Sequence, residues 1–505
     1  VYTNSLGVFE VANLPVGNYS YQVGLPSGYV PTQENMGGSD IDDSDIDESG
    51  KSHSFSIVAS EHTQWIDAGL IVDNSICEDS ELLSPIRMVW NTYLEQTNVV
   101  TVRNSCAAAE DVVVTARDMF GNILDITNLN IQGHGQRDLI INDMSGVLSD
   151  TYGSVDIEFS SAGCVDGFIY FYRGSLDGNE DYANILPALA PIVGESVATW
   201  NTYNPSLDPS DAGNDVPNWV QVTNLESTAK TFTELLYDQV GSLVETQVFT
   251  IPANGRMDVQ SGHVTPGLNR VGLVKIVPSD ATGRYLGQIF RYGANEPQGQ
   301  VPTAFDYSLA LPLRPAESGC QWVQISSGAG AENWLVIANS SSIPSSYTLD
   351  IHDNFGNVKP QQTLVLSAFE QRHINASAIL GSNLSGVAKV CGVASVDEFT
   401  LESHFYYRNA IGDITAAYAE VGRKGECSGA FASYNTYLNQ TNWIRISSLE
   451  SHVVDVKINV YDLAGNLIVS FPQWVQPNQV IEFNLQAPPF NIPANSYGVV
   501  EVVTD

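Results

Sequence analysis

Residues 118–122 read Asp-Met-Phe-Gly-Asn, and they are the first of four similar segments in this chain. Each segment has the pattern Asp-x-x-Gly-Asn, with Ser in place of Asn once, and the other three begin at Asp238, Asp353 and Asp462. The steps between these aspartates are 120, 115 and 109 residues. A period of this length exceeds the roughly 20–50 residues of a solenoid unit and equals the size of a whole domain. The sequence therefore predicts a tandem array of four similar modules.

The same period governs further residues. Glycines that open a strand recur at Gly153, Gly272, Gly386 and Gly498. Arginines that follow aromatic residues recur at Arg173, Arg291 and Arg408, and arginines that follow a polar turn recur at Arg137, Arg256 and Arg372. An Asp side chain can accept a hydrogen bond from the backbone two residues on, and Gly or Asn tolerates a positive φ. Each Asp-x-x-Gly segment is therefore predicted to be a hairpin turn.

The repeat is predicted to be all-β. Apolar and polar residues alternate with period two, for example from Val454 to Val460. Clusters of Gly, Asn, Asp, Ser and Pro recur about every 8–14 residues, a spacing typical of short antiparallel strands. About seven such strands per module indicate immunoglobulin-like β-sandwiches, which we predict in an elongated array. The predicted domains are 1–76, 77–188, 189–305, 306–420 and 421–505, of which the last is an incomplete fourth repeat.

The composition limits the classes of partner. The chain has 57 acidic and 21 basic residues, a net charge of −36, which argues against binding to nucleic acid or to an anionic membrane surface. With 43% hydrophobic residues, the chain has enough apolar material for several cores. The sequence contains no run of about 18 apolar residues and no signal peptide. It begins at Val1 in the middle of a pattern, so we expect it to be a piece of a longer protein.

Six cysteines are present, and none forms a Cys-x-x-Cys pair of the kind that zinc sites use. Disulfides are the better interpretation, and they imply an oxidising compartment. Cys106 and Cys164 lie in one repeat, and Cys320 and Cys391 lie in another, so two bridges within repeats are predicted. Cys77 and Cys427 have no obvious partner, and Cys427 is an alternative partner for Cys391.

Residues 1–73 follow a different pattern. They contain Asn-Leu-Pro-Val-Gly-Asn-Tyr at 13–19, Leu-Pro-Ser-Gly-Tyr at 25–29, Asp-Ser-Asp at 43–45 and Asp-Ala-Gly-Leu at 67–70. In this order and spacing, the segments resemble the B-like (Cna-B-type) domain of the SD-repeat surface adhesins. The resemblance implies a small β-sandwich in the stalk of a bacterial surface protein, often with bound calcium. The family's opening strands lie before residue 1, so the domain is expected to be partial.

The acidic stretch of this segment is the candidate metal site. Calcium takes six to eight hard oxygen ligands, and alternate carboxylates on one loop can converge on it. The predicted ligands are Asp40, Asp42, Asp43, Asp45 and Asp47. The alternative is a solvated acidic loop without a metal. Residues 208–215, an insertion in the second repeat, are a weaker candidate for the same chemistry.

Catalysis is not expected. The eight histidines are scattered singly, and no Gly-x-Ser-x-Gly elbow, phosphate-binding loop or dinucleotide motif is present. The Trp219, Trp334 and Trp443 series could stack on sugars, but core packing is the preferred interpretation because all three fall on equivalent strands. The Arg137, Arg256 and Arg372 series is expected to pair with acidic neighbours or to cover a sheet edge.

The predicted function is structural, as a stalk or fibre component of a bacterial extracellular surface protein. The alternative is a glycan- or protein-binding adhesin module. The expected partners are copies of the chain, other surface proteins or glycans. The fourth repeat lacks its last strand, so either the polypeptide continues or another molecule supplies that strand.

Overall fold

The computed structural model describes residues 15–23, 29–31, 46, 51–52, 54–57, 70–72 and 84–504, except 162, 176–178, 209–212, 263–266, 295–304, 425–429, 438–439 and 451. The chain forms two compact units, Val1–Asp79 and Ser80–Asp505. Within the described ranges, no helix is long and apolar enough to cross a membrane.

The first unit contains short antiparallel strands. They are β1 (Gly17–Tyr19), β2 (Tyr29–Pro31), β3 (Phe55–Ile57) and β4 (Leu70–Val72). β1 pairs with β3, and β2 pairs with β4. The Tyr19 hydroxyl, in the Asn-Leu-Pro-x-Gly-x-Tyr motif, donates a hydrogen bond to the Pro15 carbonyl at 2.8 Å. This aromatic residue therefore closes the turn that precedes its own strand.

The first repeat forms two four-stranded antiparallel sheets. Its strands are β5 (Ile86–Asn91), β6 (Thr97–Asn104), β7 (Glu110–Asp118), β8 (Ile123–Ile131), β9 (Gln136–Ile140), β10 (Tyr152–Glu158), β11 (Val165–Ser175) and β12 (Asn179–Pro187). The sheet orders are β5-β10-β7-β8 and β12-β11-β6-β9. Short 3-10 turns lie at Tyr93–Glu95 and Ile141–Asp143. This is the two-sheet sandwich that the sequence predicts.

The second repeat has the same order of strands. They are β13 (Ile192–Val193), β14 (Ser196–Asn201), β15 (Asn218–Asn224), β16 (Lys230–Asp238), β17 (Leu243–Ile251), β18 (Arg256–Gln260), β19 (Val271–Pro278), β20 (Arg284–Ala294) and β21 (Phe305–Pro312). One sheet has the order β14-β19-β16-β17, and the other has the order β13-β20-β15-β18 with β21 paired to β20. Since β21 pairs with β20, this sheet extends to Pro312, past the boundary predicted at residue 305.

The third repeat adds one short helix. Its elements are β22 (Cys320–Ser326), a 3-10 turn at Gly328–Gly330, β23 (Glu332–Asn339), β24 (Ser345–Asp353), β25 (Gln362–Leu366), β26 (Gln371–Asn375), α1 (Ala376–Leu380), β27 (Ser385–Gly392), β28 (Phe399–Arg408) and β29 (Ile414–Val421). The sheet orders are β22-β27-β24-β25 and β26-β23-β28-β29. Asn375 caps α1 by accepting a hydrogen bond from the Ala378 amide.

The fourth repeat has one four-stranded and one two-stranded sheet in its described residues. Its strands are β30 (Ala430–Asn435), β31 (Trp443–Ser447), β32 (Val454–Asp462), β33 (Leu467–Val475), β34 (Val480–Asn484) and β35 (Tyr497–Thr504). The sheet orders are β30-β35-β32-β33 and β31-β34. The sheet that contains β31 is therefore narrower than its counterparts in the other repeats.

The recurring strand glycine is explained by core packing. Trp90 and Trp200 are fully buried between the sheets of their repeats. The Trp90 indole N–H donates to the Arg117 carbonyl at 3.1 Å. A Cβ at Gly153 would lie 1.9 Å from that same carbonyl oxygen and 2.7 Å from the Trp90 ring. Only glycine fits, because the neighbouring strand and the indole already occupy the space of a side chain.

The two arginine series are not structurally equivalent. Arg137 and Arg372 hold matching positions in β9 and β26, but Met257 holds that position in β18, and Arg256 comes one residue earlier. A one-residue offset moves a strand side chain to the opposite face. Arg291 lies opposite the strand asparagine Asn218, at the position that phenylalanines hold in the first and third repeats. The spacing of arginines in the sequence is therefore a misleading marker of register.

The four repeats pack as one closed cycle. Successive repeats contact each other, and the fourth also contacts the first, since the Gln136 amide donates to the Leu463 carbonyl at 3.2 Å. The all-β fold of tandem sandwiches is confirmed. The elongated order predicted for these four sandwiches is wrong, because their interfaces return from the fourth repeat to the first.

Candidate functional site

The four Asp-x-x-Gly turns share one hydrogen-bond pattern. In the first turn, Asp118 Oδ1 accepts from the backbone amides of Phe120 at 2.9 Å and Asn122 at 2.8 Å. The carboxylates of Asp238, Asp353 and Asp462 accept from the amides two and four residues later in the same way. The Asp thus holds the loop closed through its own side chain, as the sequence predicts.

Each turn docks on a bend of the next repeat, which we call the receiving bend. The receiving bends are residues 132–135, 252–255, 367–370 and 476–479. The Arg256 amide donates to the Met119 carbonyl at 2.9 Å, and the Gln371 amide donates to the Gln239 carbonyl at 3.1 Å. Between the fourth and first repeats, the Leu463 carbonyl accepts the equivalent hydrogen bond from the Gln136 amide. One local motif therefore builds the interfaces of the cycle.

Two separate constraints require glycine at this position of the turns. Gly121, Gly241, Gly356 and Gly465 have φ values of +88°, +86°, +82° and +83°. A Cβ on any of them would also meet a receiving bend, and at Gly465 it would lie 1.9 Å from the Gly133 carbonyl oxygen. The sequence predicts the positive φ, but it gives no sign of the close approach.

The interface between the fourth and first repeats has its own aromatic contact. The His134 ring stacks on the Tyr461 ring with centroids 4.6 Å apart and planes 9° from parallel. His134 is the positive-φ residue of its receiving bend, with φ 56°. This interface therefore combines backbone hydrogen bonds with ring packing.

A buried arginine joins the first and second repeats. Arg256 is 1% exposed, and its Nη1 donates to the carbonyls of Trp90 at 2.7 Å and Gly153 at 2.9 Å. Its Nε and Nη2 each donate to a carboxylate oxygen of Asp258 at 2.8 Å, and its guanidinium lies 4.9 Å from the Tyr152 ring centroid. The predicted pairing with an acidic neighbour is confirmed for Arg256. The capture of two carbonyls from the preceding repeat is a role that sequence reasoning missed.

A second buried network joins the second and third repeats. Arg291 Nη2 donates to Thr199 Oγ1 at 2.7 Å and lies 3.6 Å from Glu402 Oε2. The Thr199 amide donates to Glu402 Oε1 at 2.9 Å. His404 Nε2 donates to Glu402 Oε2 at 2.8 Å, and its Nδ1 accepts from Arg291 Nη1 at 3.2 Å. His404 is therefore a neutral tautomer, in agreement with burial lowering its pKa.

Apolar packing continues across the same interfaces. Phe171 and Phe290 meet edge-to-face at 5.1 Å between the first and second repeats, and Tyr307 and Tyr406 meet edge-to-face at 6.1 Å between the second and third. The core of the first repeat includes Phe305 of the second. The sandwiches therefore share cores instead of ending at separate surfaces.

Both predicted disulfides are present. Cys106 is bonded to Cys164, and Cys320 is bonded to Cys391. The second bridge lies between directly paired residues of β22 and β27. Since Cys391 is bonded to Cys320, its alternative pairing with Cys427 is wrong. Cys77 and Cys427 lie outside the described residues.

The predicted calcium ligands cannot be placed. Asp40, Asp42, Asp43, Asp45 and Asp47 lie outside the described residues, so calcium binding stays a prediction. Within the described ranges, no group of three or more His, Cys, Asp or Glu side chains could hold a metal ion. A shallow cleft beside Arg314, Gln321 and Gly422 has a volume of only about 10 Å³, far below the usual 300–1,000 Å³ of small-molecule pockets.

The tryptophan series differs from its predicted role at one position. Trp219 and Trp334 are partly buried, and they pack against the cores at the interfaces between repeats. Trp443 holds the equivalent position in β31 but is 63% exposed. Core packing is therefore wrong for Trp443, because fewer elements surround the narrow sheet of the fourth repeat.

Exposed tyrosines form pairs on the first and fourth repeats. Tyr93 is 43% exposed and lies 6.3 Å from Tyr152 between ring centroids. Tyr437 is 44% exposed and lies 5.9 Å from Tyr497. The second repeat has Val271 where these two repeats have their second tyrosine. The pairs thus distinguish the two repeats that meet where the cycle closes.

One comparison with known proteins concerns the first unit. Residues 1–70 match the family model of the SdrD B-like domain. A comparison with curated proteins finds no match.

Among solved structures, dimeric latent PorU from Porphyromonas gingivalis is similar over 78% of this chain, with 10% identity and a TM-score of 0.14. This chain spans 45% of the length of that one.

Proposed function

We propose that the chain is a structural module of a bacterial extracellular surface protein, in which four interlocked sandwiches act as one rigid block. The SdrD B-like domain supports the location, because the family is one of surface adhesins. The observation that carries the structural role is the docking of each Asp-x-x-Gly turn on the next repeat, including the return from Leu463 to Gln136. A closed cycle of interfaces resists separation of any one sandwich, since two contacts must break at once.

We also propose that this block has no catalytic role. Several of its buried charged groups join elements of the fold. Asp156 lies between Arg87 and Arg117, and Glu402 accepts hydrogen bonds from Thr199 and His404. Groups held in this way are neutralised by protein partners and are not directed at a cleft.

The structural role is tested by pulling the full chain from its two ends in a single-molecule force experiment. An interlocked block should yield in one event that releases about 100 nm of chain with the disulfides intact. Reduction should add about 45 nm, because the bridges close loops of 58 and 71 residues. Four separate events of about 10–40 nm each, which together release about 100 nm, would contradict the proposal. Antibody labelling of intact source cells tests the extracellular location.

Glycan binding is the second candidate, and the tyrosine pairs favour it. Sugar faces stack on exposed aromatic rings, and Tyr93 and Tyr437 each present one beside a second tyrosine. A glycan array probed with the wild type and with the Tyr93→Ala/Tyr437→Ala variant distinguishes the two functions. Tyr203→Ala is the matched control, since Tyr203 is also exposed, at 55%, but has Val271 in place of the second tyrosine. Calcium binding by Asp40–Asp47 carboxylates also remains a proposal, tested by a chelator-induced fall in the melting temperature of the first unit.

A further inference from the structure

The disulfide of the first repeat lies beside that repeat's receiving bend. Residues 105–109, here called the supporting bend, join β6 to β7 and contain Cys106. The His134 amide of the receiving bend donates to the Cys106 carbonyl at 3.0 Å. A Cβ at Gly133 would lie 2.0 Å from the Ala107 carbonyl oxygen. The supporting bend is therefore in direct contact with the receiving bend.

The second and third repeats make the same backbone contact without a cysteine. The Asn254 amide donates to the Glu226 carbonyl at 3.0 Å, and the Phe369 amide donates to the Ser341 carbonyl at 3.3 Å. Glu226 and Ser341 stand two residues after the end of their strands, as Cys106 does. The contact is therefore common to three repeats, and of these the first alone adds a covalent bridge to it.

The other end of the bridge is held in place by a separate set of contacts. Cys164 directly precedes β11, and its carbonyl accepts from the Ser105 amide at 2.8 Å. Glu110 Oε1 accepts from the amides of Ser160 at 2.7 Å and Ser161 at 2.9 Å. Both serine hydroxyls also donate to this carboxylate. The bridge therefore ties the supporting bend to a segment that Glu110 fixes independently.

The joint that the supporting bend stabilises is the one that closes the cycle. There the Gln136 amide donates to the Leu463 carbonyl, and these residues are 327 positions apart in the sequence. The equivalent bond from Arg256 to Met119, between consecutive repeats, spans 137 positions. The entropy cost of bringing two segments together rises with the length of chain between them. The joint between the fourth and first repeats therefore gains least from chain connectivity, so support for its receiving bend matters most.

The bridge is accessible to small reagents. Cys106 and Cys164 are half-buried, and their neighbours at 107–109 and Gly163 are exposed. A thiol reagent can therefore approach the two sulfur atoms without unfolding either sheet. The disulfide thus combines contact with the closing joint and access from solvent.

We propose that the Cys106–Cys164 bond is a redox-controlled lock on the joint between the fourth and first repeats. The oxidised bridge holds the supporting bend against the receiving bend, so the turn at Gly465 stays docked. A dithiol reductant breaks the S–S bond and becomes a cyclic disulfide, and its two protons pass to the cysteines as thiols. Glu110 still fixes its own segment, so the supporting bend alone is released and the joint opens more often. This regulation rests on the structural role proposed above.

The test measures amide hydrogen exchange of residues 132–137 in the full chain under native conditions. Reduction with dithiothreitol should speed this exchange about tenfold, and reoxidation should restore the original rate. The Cys106→Ser/Cys164→Ser variant should exchange at the fast rate without reductant. The control is Cys320→Ser/Cys391→Ser, which lacks the bridge between the paired strands β22 and β27 and should leave residues 132–137 unchanged.

The two double variants separate a lock from a general loss of stability. Equal acceleration of residues 132–137 in both variants would overturn the lock, since the bridges close loops of similar size, 58 and 71 residues. Unchanged exchange in the reduced wild type, with the free thiols confirmed by intact mass, would also overturn it. The force experiment distinguishes this failure from that of the structural role. A single unfolding event in the oxidised chain, together with exchange that ignores the bridge, would overturn the lock alone.

Discussion

At the scale of single residues, Glu234 is the least expected group in the molecule. It lies on the core face of β16, in line with Phe232 and Leu236, and is 0% exposed. Ser261 Oγ donates to its Oε1 at 2.5 Å, while its Oε2 has no hydrogen-bond partner among the described residues. Burial raises the pKa of this carboxyl to about 8, so it holds its proton at neutral pH.

The protonation of Glu234 predicts a dependence of stability on pH. Its pKa is about 8 in the folded chain against a usual value of 4.5, so the unfolded chain releases the proton first. The stabilisation is present below pH 4.5 and is lost as the pH rises to about 8, with a slope of up to about 1.4 kcal/mol per pH unit. Glu234→Gln should remove this slope and be more stable than the wild type at pH 9. Urea unfolding across this pH range checks it, with the exposed Glu158→Gln as a control that keeps the slope.

At the scale of elements, the Asp-x-x-Gly hairpin has two separable functions. It closes the link between adjacent strands, and a bulge accompanies it in three of the four hairpins, for example at Val460/Tyr461. It also presents a carbonyl and a glycine to the receiving bend of the next repeat. The first function is local in sequence, and the second depends on a residue more than a hundred positions away.

Two glycine variants separate these functions. Gly319 has φ +91°, and a Cβ added there would have no other atom within 4 Å, so Gly319→Ala should cost only the left-handed backbone penalty, about 1–2 kcal/mol. Gly465→Ala should cost more than Gly319→Ala, because its Cβ also collides with the Gly133 carbonyl. Urea unfolding gives the two free energies. Hydrogen exchange should show faster exchange of the Gln136 amide in Gly465→Ala alone, and equal costs in both variants would exclude an interlocking role.

At the scale of the whole Ser80–Asp505 unit, buried polar networks connect the sandwiches. Arg291, Glu402 and His404 lie 2% exposed or less at an interface that also contains apolar packing. Such a network fixes the relative position of two repeats, since each member has a partner only in the correct arrangement. The network therefore contributes to the specificity of the cycle as well as to its stability.

Substitutions in this network should lower the free energy of unfolding, and the loss should depend on whether a charged group remains buried without its partner. Arg291→Met leaves the Glu402 carboxylate buried without its cation and should destabilise the unit by about 3–5 kcal/mol. The Arg291→Met/Glu402→Met variant should lose less than the sum of the single variants. Arg372→Met is the control, because the Arg372 side chain is 42% exposed and its pair with Glu370 should contribute less than about 1 kcal/mol. If denaturant unfolding shows that the double variant loses the sum of the two single-variant free energies, Arg291 and Glu402 are not coupled.

The sequence by itself determined the features that short stretches of chain encode. The Asp-x-x-Gly turns, the period of the repeats and the all-β class follow from local hydrogen bonding and from period-two alternation. The pairings of Cys106 with Cys164 and of Cys320 with Cys391 followed from their positions within single repeats. The register of the arginines was misread, because one residue of offset at Arg256 changes the face of a strand.

Only the tertiary structure decided how the sandwiches are arranged. The contact of Leu463 with Gln136 joins residues of the fourth and first repeats, which are far apart in sequence. The sequence of an Asp-x-x-Gly turn is the same whether or not another repeat packs against its glycine. The buried roles of Arg256 and Arg291 likewise depend on carbonyls and side chains of other repeats. Local sequence patterns specify a strand or a turn. The repeat that packs against the outer face of that strand or turn is determined by complementarity between surfaces that are distant in sequence, and no short-range pattern predicts it.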